Sequence, residues 1–525
     1  MYFIKLFQNH SDYEEFVPDG TMLKPNVSHC VNENEVHYNP FKWANEYFTT
    51  VARGSGEISF NVWKGMGTDM IKSISYSTDN GETWSAINNT NDKSEHLVIT
   101  VNVDEGDKVM WKGDATQLGY FNDDYGDAMG SFFSSTCEFD AQGNVMSLLY
   151  GDEFKGQTEI KNEYEFAYLF SEYDGQKTCE IVNAKNLSLP ATTLAQGCYQ
   201  GMFFGCTSLT AAPELPARIL TQNCYQYMFY NCTSLTVAPK LPATTLAFEC
   251  YYSMFGECTN LTTAPELPAT TLANNCYQSM FGGCTSLTVA PELPATELAQ
   301  YCYHYMFSTC TSLTVAPELP ATTLVNDCYS YMFEGCTSLV TVPELSATIL
   351  KEYCYYSMFY GCTSLTTAPE LPATTLAIDC YPDMFHGCTS LTEAPELPAT
   401  TLTKGCYANM FNGCTSLVNA PELPATTLAQ NCYYQMFDGC TSLTTAPELP
   451  ATTLVGGCYN YMFYGCTNLN YIKAMFTTTP GNSYTYNWVD GVASSGTFVK
   501  NAAATWATTG IHGIPTGWTI QTAAE

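Results

Sequence analysis

Cys432-Tyr-Tyr-Gln-Met-Phe-Asp-Gly-Cys440-Thr-Ser-Leu-Thr-Thr-Ala-Pro-Glu-Leu-Pro-Ala-Thr-Thr-Leu-Val-Gly-Gly457 is one copy of a motif that fills most of the chain. Cys198, Cys224, Cys250, Cys276, Cys302, Cys328, Cys354, Cys380, Cys406, Cys432 and Cys458 stand 26 residues apart without exception, and a second series, Cys206 to Cys466, follows eight residues behind. Eleven units of the form C-Y-x-x-M-F-x-x-C-T-S-L-T-x-A-P-E-L-P-A-T-T-L-A-x-x therefore hold 22 of the 25 cysteines. Only Cys30, Cys137 and Cys179 lie outside them. Self-similarity at a fixed period marks an array of stacked units rather than a string of independent domains.

Each unit can be read physically. Leu194, Cys198, Met202 and Cys206 recur at intervals of four with Tyr199 and Phe203 beside them, which predicts one apolar stripe on a short helix. Thr207 and Ser208 offer local hydrogen bonds that end it. Leu209-Thr-Ala-Ala then alternates like a brief strand, and Pro213 and Pro216 cannot donate to a ladder, so the chain turns. A period of 26 falls in the range of roughly 20–29 residues of leucine-rich repeats. No unit buries its stripe alone; stacking does. At ~4.8 Å per coil, eleven coils make a rod roughly 50 Å long. The fold class is a leucine-rich-repeat solenoid.

Composition narrows the function. The 525 residues carry 51 Asp+Glu against 19 Lys+Arg, a net charge of −32, which repels phosphate and argues against nucleic acid as a partner. No run approaches 18 consecutive apolar residues, so membrane insertion is not expected. Met1-Tyr-Phe-Ile-Lys5 and the acidic residues that follow make a poor signal peptide. On that reading the array thiols are reduced and pack as small hydrophobes. Disulfide ladders are the alternative for an exported chain. The cysteines show no C-x-x-C pair and no companion His, so neither a metal nor a cofactor site is expected.

Outside the array the grammar changes. Residues 1–53 form an N-terminal attachment segment. Alternating runs such as Ile58-Ser-Phe-Asn-Val-Trp63 and Leu97-Val-Ile-Thr-Val-Asn-Val103 predict a small all-β sandwich over 54–117, preceding the solenoid, with a β connector over 118–162. Ser77-Thr-Asp-Asn-Gly-Glu-Thr-Trp84 matches the Asp-box of sialidases and other β-rich proteins, a hairpin brace with no catalytic group. The acidic loop Asn122-Asp-Asp-Tyr-Gly-Asp127 lacks EF-hand spacing and reads as a solvated turn. The solenoid spans 163–470, opening on a degenerate coil at 163–186. Residues 471–525 form a cap in which Trp488, Trp506 and Trp518 cover the last coil.

No catalytic constellation appears. None of His10, His29, His37, His96, His304, His386 and His512 sits in a ligand spacing, and His29-Cys30 with His37 lacks an orienting partner. His304 and His386 read as surface variation. Instead the information lies in three variable doublets per unit: before the first Cys, between Tyr and Met, and between Phe and the second Cys. Helical spacing would turn them to solvent. They are rich in Gln, Asn, Ser, Gly and Asp, and hold Tyr227, Tyr230, Tyr252, Tyr301, Tyr305, Tyr331, Tyr353, Tyr356, Tyr360, Tyr434, Tyr461 and Tyr464. Tyr with Ser, Asn and Gly is the vocabulary of antibody paratopes, so these twelve tyrosines are the candidate ligand-binding residues. A second row, Glu214, Glu266, Glu292, Glu318, Glu344, Glu370, Glu396, Glu422 and Glu448, broken only by Lys240, reads as a solvated edge, with a stripe for cations or a basic partner as the alternative.

The unit C-Y-x-x-M-F-x-x-C-T-S-L resembles the BspA-like leucine-rich repeats of Bacteroidales surface proteins. Asn487-Trp-Val-Asp-Gly-Val-Ala-Ser-Ser-Gly-Thr-Phe-Val-Lys500 is similar to their C-terminal cap. Lys24-Pro-Asn-Val-Ser28 and Asn34-Glu-Val-His-Tyr-Asn-Pro40 look like a segment shared by gut Bacteroides proteins and their phages. The resemblance implies adhesion and receptor binding with no catalytic residues. With no visible export signal, the expectation is a phage virion surface protein. Its N-terminal region would meet a virion or assembly partner, and its solenoid a host-surface glycan or protein. An exported bacterial adhesin, on the cell surface or secreted, and a purely structural virion decoration are the alternatives. Self-association is left open.

Overall fold

The structure is a computed structural model that describes residues 43–63, 71–88, 96–115, 118–122, 127–171 and 179–523. Most of the segment 1–53, including Lys24–Ser28, Asn34–Pro40, Cys30 and the histidines at 10, 29 and 37, lies outside the described residues, as does most of the acidic loop at 122–127.

The chain opens with β1 (Phe48–Ala52), β2 (Gly56–Trp63), β3 (Ile71–Ser77), β4 (Ser85–Asn88), β5 (His96–Val103) and β6 (Lys108–Ala115). There follow β7 (Gly119–Asn122), β8 (Asp127–Gly130), β9 (Phe132–Ser135), β10 (Phe139–Asn144) and β11 (Ile181–Ser188). A six-stranded sheet of order β11-β10-β1-β6-β3-β4 lies against a three-stranded sheet of order β5-β2-β9. Between them Phe60 stacks on Phe133 at 4.2 Å, with Trp111 edge-on to Phe133 at 5.5 Å. Strand β5 has the clean alternation that betrays it, with Leu97, Ile99, Val101 and Val103 buried.

The sheets draw on strands beyond 54–117. In β1 both faces are covered, so Thr49 and Thr50 are buried beside Phe48 and the alternation is lost from the sequence. β11 continues the six-stranded sheet by pairing parallel to β10, and its Asn183 bridges to Ala211 of the first repeat. Glu165, buried at this junction, accepts hydrogen bonds from the Leu118 N–H at 2.8 Å and the Asn162 side chain at 2.6 Å. Burial pushes its carboxyl up to about 7. The Asp-box joins β3 to β4 as a brace: Ser77 donates to Asp79 at 2.7 Å, and the Thr83 N–H donates to the same carboxylate at 2.9 Å. Those hydrogen bonds, led by Thr83, hold Asp79 down at about 2.

In the array, one flank of the coil is built from isolated parallel bridges such as Val237↔Thr263 and Thr245↔Thr271. The opposite flank is not the expected helix. In the coil that begins at Cys224, the N–H groups of Gln226, Met228 and Tyr230 each close a turn onto the carbonyl three residues back, at 3.0–3.2 Å. Those of Tyr225, Tyr227 and Phe229 leave the coil and donate to Cys250, Tyr252 and Met254 of the next, at 2.9–3.1 Å. Every fourth residue, Asn223, Tyr227 and Asn231, has a φ of 56–58°. This is a ribbon of consecutive turns, laterally bonded like a strand. Its period of four puts Cys224-Tyr225 and Met228-Phe229 inside as adjacent pairs, which a period of 3.6 cannot sustain. The apolar spacing i, i+4 is common to both arrangements, which is why it suggested a helix.

Stacking turns each inner position into a column. Tyr199, Tyr225, Tyr251 and their successors lie ring on ring at 5.7–6.0 Å, and Phe203, Phe229, Phe255 and theirs at 5.3–5.8 Å. The 24 described cysteines are buried thiols rather than disulfides. The thiols of the second series donate one coil back, Cys232 to the Phe203 carbonyl at 3.1 Å and Cys336 to that of Phe307 at 3.1 Å. Burial raises those of Cys258 and Cys336 to about 12, far from reactive thiolate character.

The opening coil copies the ribbon: Tyr164 and Tyr168 have positive φ and donate to the Gln196 and Gln200 carbonyls at 2.9 Å. Phe166 and Phe170 start the aromatic columns. At the other end Trp488 meets Tyr459 and Phe463 at 6.4 and 6.1 Å, and Trp506 stacks on Phe476 at 5.2 Å. The bridge column ends in β12 (Tyr471–Ala474), β13 (Thr497–Lys500) and β14 (Thr519–Thr522), a parallel three-stranded sheet.

Candidate functional site

The turn ribbon decides what each doublet can be. The second residue of every doublet from Gly197 to Gly465 has positive φ. Twelve of these positions are Gly, five Asn and three Asp, the residues that reach the left-handed region most cheaply. Much of the Gly, Asn and Asp that resembled a paratope vocabulary is thus a backbone requirement. Tyr is different. A bulky side chain at positive φ is an outlier, at a cost of roughly 1–2 kcal/mol, yet Tyr227, Tyr301, Tyr305, Tyr331, Tyr353 and Tyr461 all occupy such positions, with φ of 55–57°. Tyr230, Tyr252, Tyr356, Tyr360, Tyr434 and Tyr464 take the unstrained first place of their doublets.

The side chains do not stand out singly into solvent. Tyr353, Tyr360 and Tyr464 are exposed, at 37–40%, while the other nine are half-buried against one another. They gather into three patches along one face. In the first, Tyr227 meets Tyr230 at 5.8 Å and Tyr252 at 5.2 Å, and Tyr230 stacks on Phe204 at 5.1 Å. In the second, Tyr305 stacks on Tyr331 at 4.4 Å, Tyr331 meets Tyr356 at 5.1 Å, and Tyr353 meets Tyr356 at 5.9 Å. Tyr360 packs on His386 at 4.6 Å. In the third, Tyr461 meets Tyr434 at 6.0 Å, Tyr464 at 5.9 Å and Tyr486 at 5.2 Å. Coils with Asn274-Asn275, Gln278-Ser279 and Gly282-Gly283, or with Ala408-Asn409 and Asn412-Gly413, separate the patches.

Some members escaped the sequence. Phe204, Tyr486 and His512 join patches, the last stacking on Tyr486 at 5.0 Å. His304 is not free surface variation: it sits 4.4 Å from Tyr305 and 5.7 Å from Tyr331, and burial holds it down at about 4. His386 bonds Asp383 at 3.0 Å. What these residues share is a neighbour one coil away, visible only once the stacking register is known.

The face is also anionic. Burial raises the carboxyls of Glu249, Asp327, Glu334, Asp379 and Asp438. Asp327 in turn raises the Tyr301 phenol, and Asp379 that of Tyr353. The glutamate row lies elsewhere on the coil, next to Pro, exposed, with Glu448 paired to Lys473 at 2.8 Å. Among the described residues no group of His, Cys, Asp and Glu is arranged to hold a metal ion, and no helix is long and apolar enough to cross a membrane.

The family described as BspA type leucine rich repeat region matches in 6 copies, over residues 176–314, 226–366, 276–395 and 352–489, more than half of the chain. No curated protein matches it. A solved structure titled as the crystal structure of a TLR13-ssRNA13 complex is similar at 15% identity, covering 57% of this chain and 39% of that one. Its TM-score of 0.24 is too low to carry an argument.

Proposed function

Because the chain belongs to the BspA-type leucine-rich repeat family, we propose that it is a non-enzymatic recognition protein whose array of eleven units binds a host-surface glycan or protein through the tyrosine face of the turn ribbon. One observation carries this reading: six tyrosines sit at positive φ where most sister coils use Gly, Asn or Asp and a few use Ser, Glu, Gln or Thr, and they lie in aromatic patches on one face. Backbone strain is tolerated where something compensates for it, and such outliers gather at binding sites. Tyr supplies large, rigid contact area at low entropic cost. The N-terminal segment would hold the chain to a larger assembly. Display on a virion rests on the resemblance of Lys24–Ser28 and Asn34–Pro40 alone.

Labelled full-length protein offered to a panel of gut Bacteroidales strains tests it. Saturable, strain-selective binding is expected. Replacement of Tyr227, Tyr305, Tyr331, Tyr356 and Tyr461 by Ser should abolish it with the circular dichroism spectrum unchanged. Binding that survives the five substitutions sinks the assignment to this face.

A further inference from the structure

Between the first and second aromatic patches the face drops into a trough of about 220 Å³. Its walls are Tyr230 and Tyr305, three coils apart, each backed by another ring: Phe204 at 5.1 Å and Tyr331 at 4.4 Å. The floor is kept low by small residues. A Cβ on Gly256 would stand 2.8 Å from the Tyr230 ring, and one on Gly283 would stand 2.6 Å from the Glu257 carboxyl carbon. Glu257 therefore lays its carboxylate across the floor, exposed, with no ion pair among the described residues. Ser253, only 5% exposed, also lines the trough, and its hydroxyl makes no hydrogen bond among the described residues.

We propose that this trough receives the cationic head of a lysine or arginine side chain presented by a protein partner. The inference rests on the reading of the tyrosine face as a binding surface and names what one part of it takes. The Tyr230 ring, which lies over Gly256, attracts a cation through its quadrupole, and more strongly once water is excluded, while Tyr305, three coils or roughly 14 Å away, closes the far end. Glu257 supplies the opposite charge, and the Ser253 hydroxyl an acceptor for the remaining N–H groups. A neutral sugar ring would stack on the tyrosines but leave Glu257 desolvated without a countercharge, which costs free energy. The trough is too small for a drug-sized ligand but large enough for one side-chain head. The surroundings agree: Glu334 accepts from Ser308 at the rim at 3.2 Å, and the net charge of −32 steers basic partners toward the rod.

The test is fluorescence anisotropy of a labelled octalysine peptide titrated with the full chain at fixed ionic strength. Glu257→Gln should weaken binding roughly tenfold, and Tyr230→Ser several-fold. Glu266→Gln, which removes the same charge from the glutamate row, should stay within about twofold, the size of a surface charge effect. Equal losses for Glu257→Gln and Glu266→Gln would reduce the effect to net charge and overturn the proposal, as would no binding of the peptide. If the peptide result fails while the five-tyrosine variant still loses cell binding, the face recognises its target without this subsite. If both fail, the reading of the face falls as well.

Discussion

Phe333 and Tyr331 are two residues apart on the same turn ribbon and obey opposite rules. Phe333 points inward, fully buried, stacked at 5.7 Å on Phe307 and on Phe359 in a column that repeats one residue type throughout the array. Tyr331 points outward at a φ of 56°, where the equivalent residues are Gly201, Ser253 or Asn409 in other coils. The inner face is uniform and unstrained, the outer variable and strained. Stability is concentrated on one and freedom to specialise on the other, within a single stretch of backbone.

The largest effect that could break this comparison is on the inner side. Phe333→Ala removes a ring from the middle of a close-packed column and should cost about 3–5 kcal/mol in denaturant unfolding of the full chain. A loss under about 1 kcal/mol would mean that the columns relax easily and that uniformity has some other cause.

Titration should divide the two faces next. The inner thiols and phenols are pushed up by burial, so they contribute almost nothing to the pH dependence of folding between pH 4 and 7 and lower stability only as pH rises toward the unfolded thiol range of about 8.5. His304, on the outer face, is held down at about 4 against 6.5 when unfolded. A base with a depressed folded pKa gives stability that is complete above 6.5 and lost as pH falls toward 4. The share lost is on the order of 2 kcal/mol after allowance for partial exposure. The difference between wild type and His304→Gln in urea melts at pH 7.5 and pH 4 should show it. A difference that does not change with pH would place His304 in solvent.

The same contrast explains how far the sequence could be read. The inner face writes itself into the sequence because columns demand identity: Cys, Tyr, Met, Phe and Cys return every 26 residues, and the solenoid follows. The wrong step was local. Apolar spacing of four fits a helix and a chain of four-residue turns alike, and what spoke against the helix was the choice of polar residues. Gly, Asn or Asp at most of the fourth places, as in Gly197, Gly201 and Gly205, is a poor helix surface and a good run of left-handed turns. The twelve tyrosines were legible as a composition, but their grouping was not. Tyr227 meets Tyr252 because the ribbon bonds residue n to n+25, one short of the period, and that register belongs to the stacked backbone. The buried strand β1 escaped for a related reason: burial on both faces erases alternation.

The smallest expected effect is the most informative. Tyr331→Asn should relieve up to about 1 kcal/mol of backbone strain, since Asn adopts positive φ readily. It also removes ring contacts to Tyr305 at 4.4 Å, His304 at 5.7 Å and Tyr356 at 5.1 Å, each worth about 0.5–1.5 kcal/mol at most. These oppose, and because the rings are only half-buried the net change should lie within about 1 kcal/mol of wild type. A residue that costs nothing to lose and yet occupies a strained position owes its place to something outside the fold. If Tyr331→Asn instead destabilises by as much as Phe333→Ala, the patches are a second core laid along the ribbon, their strain is compensated inside the molecule, and recognition is not needed to account for them. If the unfolding curve is unchanged while cell binding weakens, strain and stability have separated within two residues, as the two faces of the ribbon require.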